Sequence, residues 1–274
     1  MLTTIEKPAM RVCGTVVTRY TAAEVIALVA SLTAISGSPQ LAIGSVNLDH
    51  LHHFRSETVD GDDDACGDGD GGPQWLWLAD GAPVAWRGSR LVAGTWPRVT
   101  GADLLEPILD VSVQNDVQVG FLGGTAAMHR RLKRQLAQRY PDAAPAGFWS
   151  PSRSVVESPG ASAELAAEIR ATGVRVLVVG LGKPRQERWV QQHAAETGAT
   201  VFLAFGAAAD FLAGVVDRAP DFYRQNGLEW LYRLRQEPQR LARRYLVQGP
   251  PALLRLRHAD LVMPYAPEPR GWRP

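Results

Sequence analysis

Four times along the chain an apolar, β-branched run leads into a turn of small residues and then into a helical pattern. The first run covers residues 41–46 and is followed by Asn47, Asp49 and the periodic Leu48, Leu51 and Phe54. The second, 117–122, passes through Gly123, Gly124 and Thr125 into an amphipathic stretch over 128–136. The third, 174–179, meets Gly180-Leu181-Gly182 and a helical pattern through Trp189 and Val190; the fourth, 200–205, meets Gly206 and continues over 207–212. Strands apolar on both faces and alternating with helices predict a parallel sheet covered on both sides. The expected fold is α/β: a Rossmann-like, mostly parallel sheet with helices on both faces. In such sheets a ligand binds beyond the carboxyl ends of the strands, where these glycine turns lie.

Two segments depart from the pattern. Residues 57–72 hold seven acids and five glycines in 16 positions, too polar to bury a core, and predict a flexible surface insert. Asp62-Asp63-Asp64 imitates a metal-binding Asp-x-Asp, and Asp60, Asp62 and Asp64 imitate a calcium loop. The calcium pattern, however, needs Gly where Ala65 stands and Glu where Gly71 stands, so a solvated loop is expected. From residue 218 onward Leu228, Leu231 and Leu234 recur at helical spacing until Pro238, which must start a new helix or kink the old one. Prolines at 250, 251, 264, 267, 269 and 274 then predict a loosely held tail beyond Tyr245. The expected division is a core over 1–217 and a helical, basic appendage with a proline-rich tail over 218–274.

Composition narrows the class. With 274 residues, 46% of them hydrophobic, and a formal net charge of +1, the chain can bury a large core and is not disordered. No apolar run approaches the roughly 20 residues of a membrane-spanning helix. The first eleven residues, interrupted by Glu6, Lys7 and Pro8, do not read as a signal peptide. The only cysteines, Cys13 and Cys66, lack metal-ligand spacing and exclude a disulfide framework. The near-zero charge conceals an asymmetry: −5 over residues 1–217 and +6 over 218–274, where eleven arginines meet five acids. A basic end on a mildly acidic body points to an anionic partner. Arginine outnumbers lysine 26 to 3 across the chain, so the positions of arginines inform more than their number.

Several residues could carry chemistry. Gly120-Phe121-Leu122-Gly123-Gly124 and Gly180-Leu181-Gly182 look like phosphate-cradling turns at helix N-termini. Neither completes G-x-G-x-x-G, since Arg185 stands in the last glycine position of the second, and such turns need glycine with or without a ligand. Asp80 follows the apolar stretch 75–79 and can serve as a general base or a ribose ligand, or simply form an Asp-Gly turn. Asn47 suits a helix cap. Asp210 is a lone acid in an apolar stretch. His50, His52 and His53 crowd one helix without H-E-x-x-H spacing, and no G-x-S-x-G occurs.

Taken in order, the motifs resemble the WecG/TagA/CpsF glycosyltransferases over roughly residues 12–246. The resemblance rests on Ser45-Val-Asn47, Ala79-Asp80-Gly81-x-Pro83 and Arg98-Val-x-Gly101-x-Asp103-Leu104. It continues through Val119-Gly-Phe-Leu-Gly-Gly124, Val179-Gly-Leu-Gly-x-Pro-x-Gln186-Glu187-x-Trp189 and Gly206-Ala-x-x-Asp210-Phe-x-x-Gly214. It ends with Arg218-Ala-Pro220 and with Gly227-Leu-Glu229-Trp230-Leu-x-Arg233-Leu and Glu237-Pro238-x-Arg240. Ser45 stands where the family more often has threonine, and the hydroxyl is kept.

The resemblance implies an inverting transferase that moves a hexose or N-acetylhexosamine, N-acetylmannosamine-like, from a UDP-sugar to a sugar on a polyprenyl diphosphate. It implies Asp80 as the base, kept in its proton-accepting form by Arg98. Ser45, Asn47, Arg98, Gly123, Gly124, Gly182, Gln186 and Asp210 would line the nucleotide-sugar pocket. Arg233, Arg240, Arg243 and Arg244 match an appendage that closes as a lid, docks on an anionic membrane and brings guanidinium groups to the leaving diphosphate. Trp230, Leu231 and Leu234 would face the body or the membrane interface. No cofactor and no metal are expected. The expected place is cytoplasmic, at the inner face of the cell membrane, with self-association as in the family. Two other classes compete. A nucleotide-dependent oxidoreductase would need the complete glycine fingerprint, and a nucleic-acid binder would need a basic body.

Overall fold

In the computed structural model the described residues are 7–54, 72–220, 222–223 and 227–262, with Arg240 described by its backbone alone. The acidic insert through residue 71 and the tail beyond residue 262 lie outside them.

Nine strands form one sheet in the order β6-β5-β7-β8-β3-β4-β2-β1-β9. They are β1 (Ala9–Val12), β2 (Thr15–Thr18), β3 (Leu41–Val46), β4 (Gln74–Ala79), β5 (Val119–Gly123), β6 (Gly147–Trp149), β7 (Val176–Gly180), β8 (Val201–Ala204) and β9 (Asp260–Val262). Every pairing from β6 across to β2 is parallel; only β1 with β2 and β1 with β9 run antiparallel. The four runs expected from the sequence are β3, β5, β7 and β8, which sit side by side at the centre. Along them neighbouring residues go to opposite faces. Ile43, Phe121, Val178 and Leu203 join one buried cluster, and Ala42, Leu122, Val179 and Phe202 join another. The sheet is therefore α/β and covered on both sides, as expected.

Helices α1 (Ala22–Ala34), α4 (Gly101–Gln114) and α5 (Ala126–Arg139) contribute to the first cluster, and α7 (Pro159–Ala171) and α8 (Arg185–Thr197) to the second. Short helices follow the strands: α2 (Leu48–His53), α3 (Ala82–Leu91), α6 (Arg153–Glu157) and α9 (Gly206–Leu212). Side-chain caps start several of them. Thr21 and Glu24 form a reciprocal capping box on α1, and Thr100 caps α4. Burial pushes the Asp103 carboxyl up, but the Thr100 hydroxyl and the Arg218 guanidinium outweigh it and hold the group below its ordinary value.

As far as residue 262 the C-terminal segment departs from the expectation of a loose tail beyond Tyr245; the rest of that tail lies outside the described residues. Helix α10 (Glu229–Gln236) stops at Glu237, and Pro238 opens α11 (Pro238–Ala242). The chain then widens into a π-helical turn, Arg243–Gln248, and continues as α12 (Gly249–Arg255). Pro250 and Pro251 occupy the first turn of α12, where a missing N–H costs no intrahelical bond. Ala252, Leu256 and Ala259 pack into a third core cluster with Met10, Val17, Leu51 and Trp77. Strand β9 then closes the sheet beside β1. Arg87 fastens this return by donating to the carbonyls of Arg257 and Ala259, and Arg255 donates to Leu51 O at 3.0 Å. Among the described residues no helix is long and apolar enough to cross a membrane.

Candidate active site

The site begins at the carboxyl ends of β3 and β4. After Val46 the backbone stays extended at Asn47, whose Oδ1 accepts from His50 N at 3.1 Å and caps α2. With its oxygen committed, the Asn47 carboxamide directs Nδ2 to Asp80 Oδ2 at 3.0 Å. Asp80 is fixed from behind as well, since its own N–H donates to Val46 O at 3.1 Å. The cap and the orienting contact are thus one side chain doing both.

The ends of β5, β7 and β8 make the floor. Gly123 has φ +97, and a Cβ there would lie 2.3 Å from Gly180 O; Gly180 and Gly206 also meet backbone to backbone. Only glycine allows strands to converge this closely. Gln186, buried at the start of α8, donates from Nε2 to Glu187 Oε1 at 2.9 Å and to Ala204 O at 3.2 Å. Lys183 donates to Ser45 O and lies 3.3 Å from His50 Nδ1 and 3.7 Å from Glu187 Oε1. Burial keeps the His50 imidazole well below its ordinary pKa, and the Lys183 charge adds to that.

Above this floor lies a cleft with two lobes. The first, about 270 Å³, is walled by Ser45, the glycine turns, Gln186 and Asp210. The second, about 360 Å³, is more apolar, with Leu48, Pro83, Trp230, Tyr245 and Leu253 in its wall. Asn47, Asp49, Asp80, Glu229, Arg233 and Arg244 border both lobes. The C-terminal segment supplies the last three and is tied to the body by charge. Arg98 Nη1 stands 3.5 Å from Glu229 Oε2. Arg244 Nε is 3.1 Å from Asp49 Oδ1, an ion pair without the alignment of a hydrogen bond. The Arg233 guanidinium lies over the Phe211 ring, 5.4 Å from its centroid. A carboxylate fixed at the junction of a polar and an apolar lobe, facing guanidinium groups, can take a proton from one ligand while charge grows on another.

The glycosyl transferase WecG/TagA/CpsF family model matches residues 10–263. The chain belongs to that family. It is also similar to proteins named N-acetylglucosaminyldiphosphoundecaprenol N-acetyl-beta-D-mannosaminyltransferase in Staphylococcus aureus. Identity is 28% over 169 residues with those of strains MW2 and NCTC 8325, and 27% with that of strain MRSA252. The matched stretch is 61% of this chain, and the chain spans about 63% of the length of these relatives.

Within this WecG/TagA/CpsF chain the structure brings Ser45, Asn47, Asp80, Gly123, Gly124, Gly182, Gln186, Asp210 and Arg233 around the first lobe. Arg98 borders the second. Arg243 is not brought to the cleft: it is exposed on the π-helical turn and lines neither lobe, whereas the next residue, Arg244, does. Successive helical residues diverge by about 100°, so only one of the two can face inward. The Arg240 side chain and the Asp62–Asp64 cluster lie outside the described residues. Among the described residues no three His, Cys, Asp or Glu side chains gather as a metal site. Asp49, Lys183 and Glu229 also line the cleft; Asp49 and Glu229 occur in the sequence patterns, but none of the three was expected as a site residue. Asp49 gives a signal only in hindsight, one turn of α2 away from His53, to which it lies 3.7 Å. Lys183, between a glycine and a proline, gives none.

Proposed function

We propose that this chain is an inverting glycosyltransferase that moves an N-acetylhexosamine of the N-acetylmannosamine kind from a UDP-sugar to a sugar carried on a polyprenyl diphosphate. The observation that carries the reading is the place of Asp80, on the wall common to both lobes and oriented by Asn47. The family membership and the acceptor in the staphylococcal relatives' names support it.

In this reading the nucleotide sugar lies over the glycine floor and the acceptor sugar enters from the second lobe. Asp80 takes the proton from the attacking hydroxyl as the new bond forms at the anomeric carbon. The bond to the diphosphate breaks on the opposite side, and UDP leaves with the electron pair. Arg233 and Arg244 face the growing negative charge. For Arg244 this means exchanging its Asp49 partner for the diphosphate. Arg240 and Arg243 are assigned supporting roles, Arg243 on the exposed side toward anionic lipid.

The same segment suits a membrane surface. Trp230, Leu231, Leu246, Val247, Leu253 and Leu254 are exposed on it, and Arg235, Arg243 and Arg257 are exposed among them. Exposed apolar side chains interspersed with arginines favour an anionic bilayer surface. The proposed location is therefore the inner membrane face, with no nucleic acid partner.

Thermal-shift measurement followed by transfer assays tests the reading. UDP should stabilise the protein while NAD and oligonucleotides do not. A panel of UDP-sugars with a short-chain, GlcNAc-bearing polyprenyl diphosphate should yield product from a UDP-N-acetylhexosamine. Stabilisation by NAD but not UDP would sink it.

A further inference from the structure

The Gln186 carboxamide has a fixed polarity, and the groups that fix it lie behind the cleft. Its Nε2 points at two oxygens, Glu187 Oε1 and Ala204 O. Turned over, the carboxamide would set its own oxygen against both acceptors. Its Oε1 is therefore the atom left for the cleft. It stands at the Gly206 wall, where a Cβ on that glycine would lie 3.6 Å away, and it takes no hydrogen bond among the described residues. Gln186 itself is 3% exposed, so this oxygen is presented from a closed surface.

Glu187 holds that polarity, and Lys183 holds Glu187. The Glu187 side chain is wholly buried. Its Oε1 receives the Gln186 amide and faces the Lys183 ammonium at 3.7 Å. Lys183 is anchored in turn by Ser45 O and by His50 Nδ1, while His50 Nε2 reaches Thr15 Oγ1 at 3.1 Å.

We infer that Lys183 and Glu187 are positioning residues that lock Gln186 as a hydrogen-bond acceptor, so that this wall of the cleft reads an N–H group of the nucleotide sugar. The inference rests on the donor reading above. Hydroxyls can donate or accept, but an imide or acetamido N–H can only donate. A UDP-N-acetylhexosamine carries one of each, on the uracil ring and on the sugar.

Calorimetric titration with UDP and with UDP-N-acetylmannosamine tests it, on wild-type protein, Gln186→Met, Glu187→Gln, the pair Lys183→Met/Glu187→Met, and all three methionine changes together. Replacing a buried ion pair by apolar side chains of similar length keeps the fold, which the melting temperature checks. The pair variant and Gln186→Met should each bind roughly 3- to 10-fold more weakly, the loss of one oriented hydrogen bond. The triple variant should bind no more weakly than Gln186→Met, because the pair acts through Gln186. Glu187→Gln keeps an oxygen facing the Gln186 amide and Lys183, and should stay within about two-fold of wild type. A loss of the same size with UDP and with UDP-N-acetylmannosamine assigns the N–H to the base; one confined to UDP-N-acetylmannosamine assigns it to the acetamido group. Wild-type affinity in Gln186→Met or in the pair variant, or a triple loss equal to the product of the two, overturns the proposal while leaving the donor reading intact. A wild type that binds neither compound overturns the donor reading itself.

Discussion

Replacing Asp80 by asparagine removes a charge and a proton acceptor while changing almost no volume. The structure allows the two effects to be separated. The cap on α2 uses Asn47 Oδ1 and His50 N, which the substitution does not touch. The Asn47 Nδ2 contact at 3.0 Å can pass to the new amide oxygen, so a charge-assisted hydrogen bond becomes a neutral one. That change costs about 1 kcal/mol of stability and lowers the melting temperature by roughly 2–4 °C. UDP affinity should hold within about two-fold, because the glycine floor, Gln186 and Asp210 are intact. The chemical step should slow by roughly 10²–10⁴-fold, equivalent to about 3–5 kcal/mol of barrier. The assay is single-turnover transfer from the UDP-N-acetylhexosamine to a short-chain lipid diphosphate acceptor, alongside calorimetry with UDP. Turnover within a few-fold of wild type, with UDP binding unchanged, would show that another group takes the proton.

Arg244→Ala deprives Asp49 of its partner and the leaving diphosphate of a guanidinium; turnover should fall roughly 10²-fold while affinity for the intact UDP-N-acetylhexosamine changes less than about three-fold, since the charge it meets grows in the transition state. Weakened donor affinity with kcat unchanged would reassign Arg244 to ground-state binding. His50 is wholly buried and its folded pKa lies well below 6.5, so below pH 6.5 the unfolded chain binds a proton that the folded chain refuses. This contribution is complete above that pH and is lost on acidification at about 1.4 kcal/mol per pH unit, until the folded pKa is reached. Melting curves between pH 8 and 5 should be shallower in pH for His50→Asn than for wild type; identical slopes would refute the assignment. On the proposed mechanism, in which arginines compensate the leaving charge, transfer should survive EDTA, and loss restored by Mg²⁺ or Mn²⁺ would bring the acidic residues 60–64 into the mechanism.

Much of the site was legible because its parts are local. Asn47, Asp80 and the glycine turns each follow directly on an apolar strand, Gln186 opens the helix after the third such turn, and parallel strands deliver their carboxyl ends to one edge. The family motifs, quoted in order, led to the same residues. The arginines were less legible. A helix running unbroken through Pro238 would put Arg233, Arg240 and Arg244 on one face; the stop at Glu237 and the π-helical turn reset that register. Arg233 and Arg244 nevertheless both border the cleft, and Arg243, one residue from Arg244, is exposed.

By itself the sequence determined the parallel centre of the sheet, the turns that floor the cleft and the carboxylate at the end of β4. These follow from hydrophobic period, β-branched content and glycine placement, all properties of a few consecutive residues. Only the tertiary structure decided what closes the cleft. The pairing of Arg98 with Glu229 joins residues 131 apart, and Arg87 holds the carbonyl of Ala259 from 172 residues away. The short strands β1, β2, β6 and β9 carry too few residues for a period to show, and they exist because a neighbouring strand offers its edge. The part of the stretch after Tyr245 that is described, to residue 262, became helix and strand for the same reason: Ala252, Leu256 and Ala259 found an apolar surface on Met10, Leu51 and Trp77 that no local pattern announces.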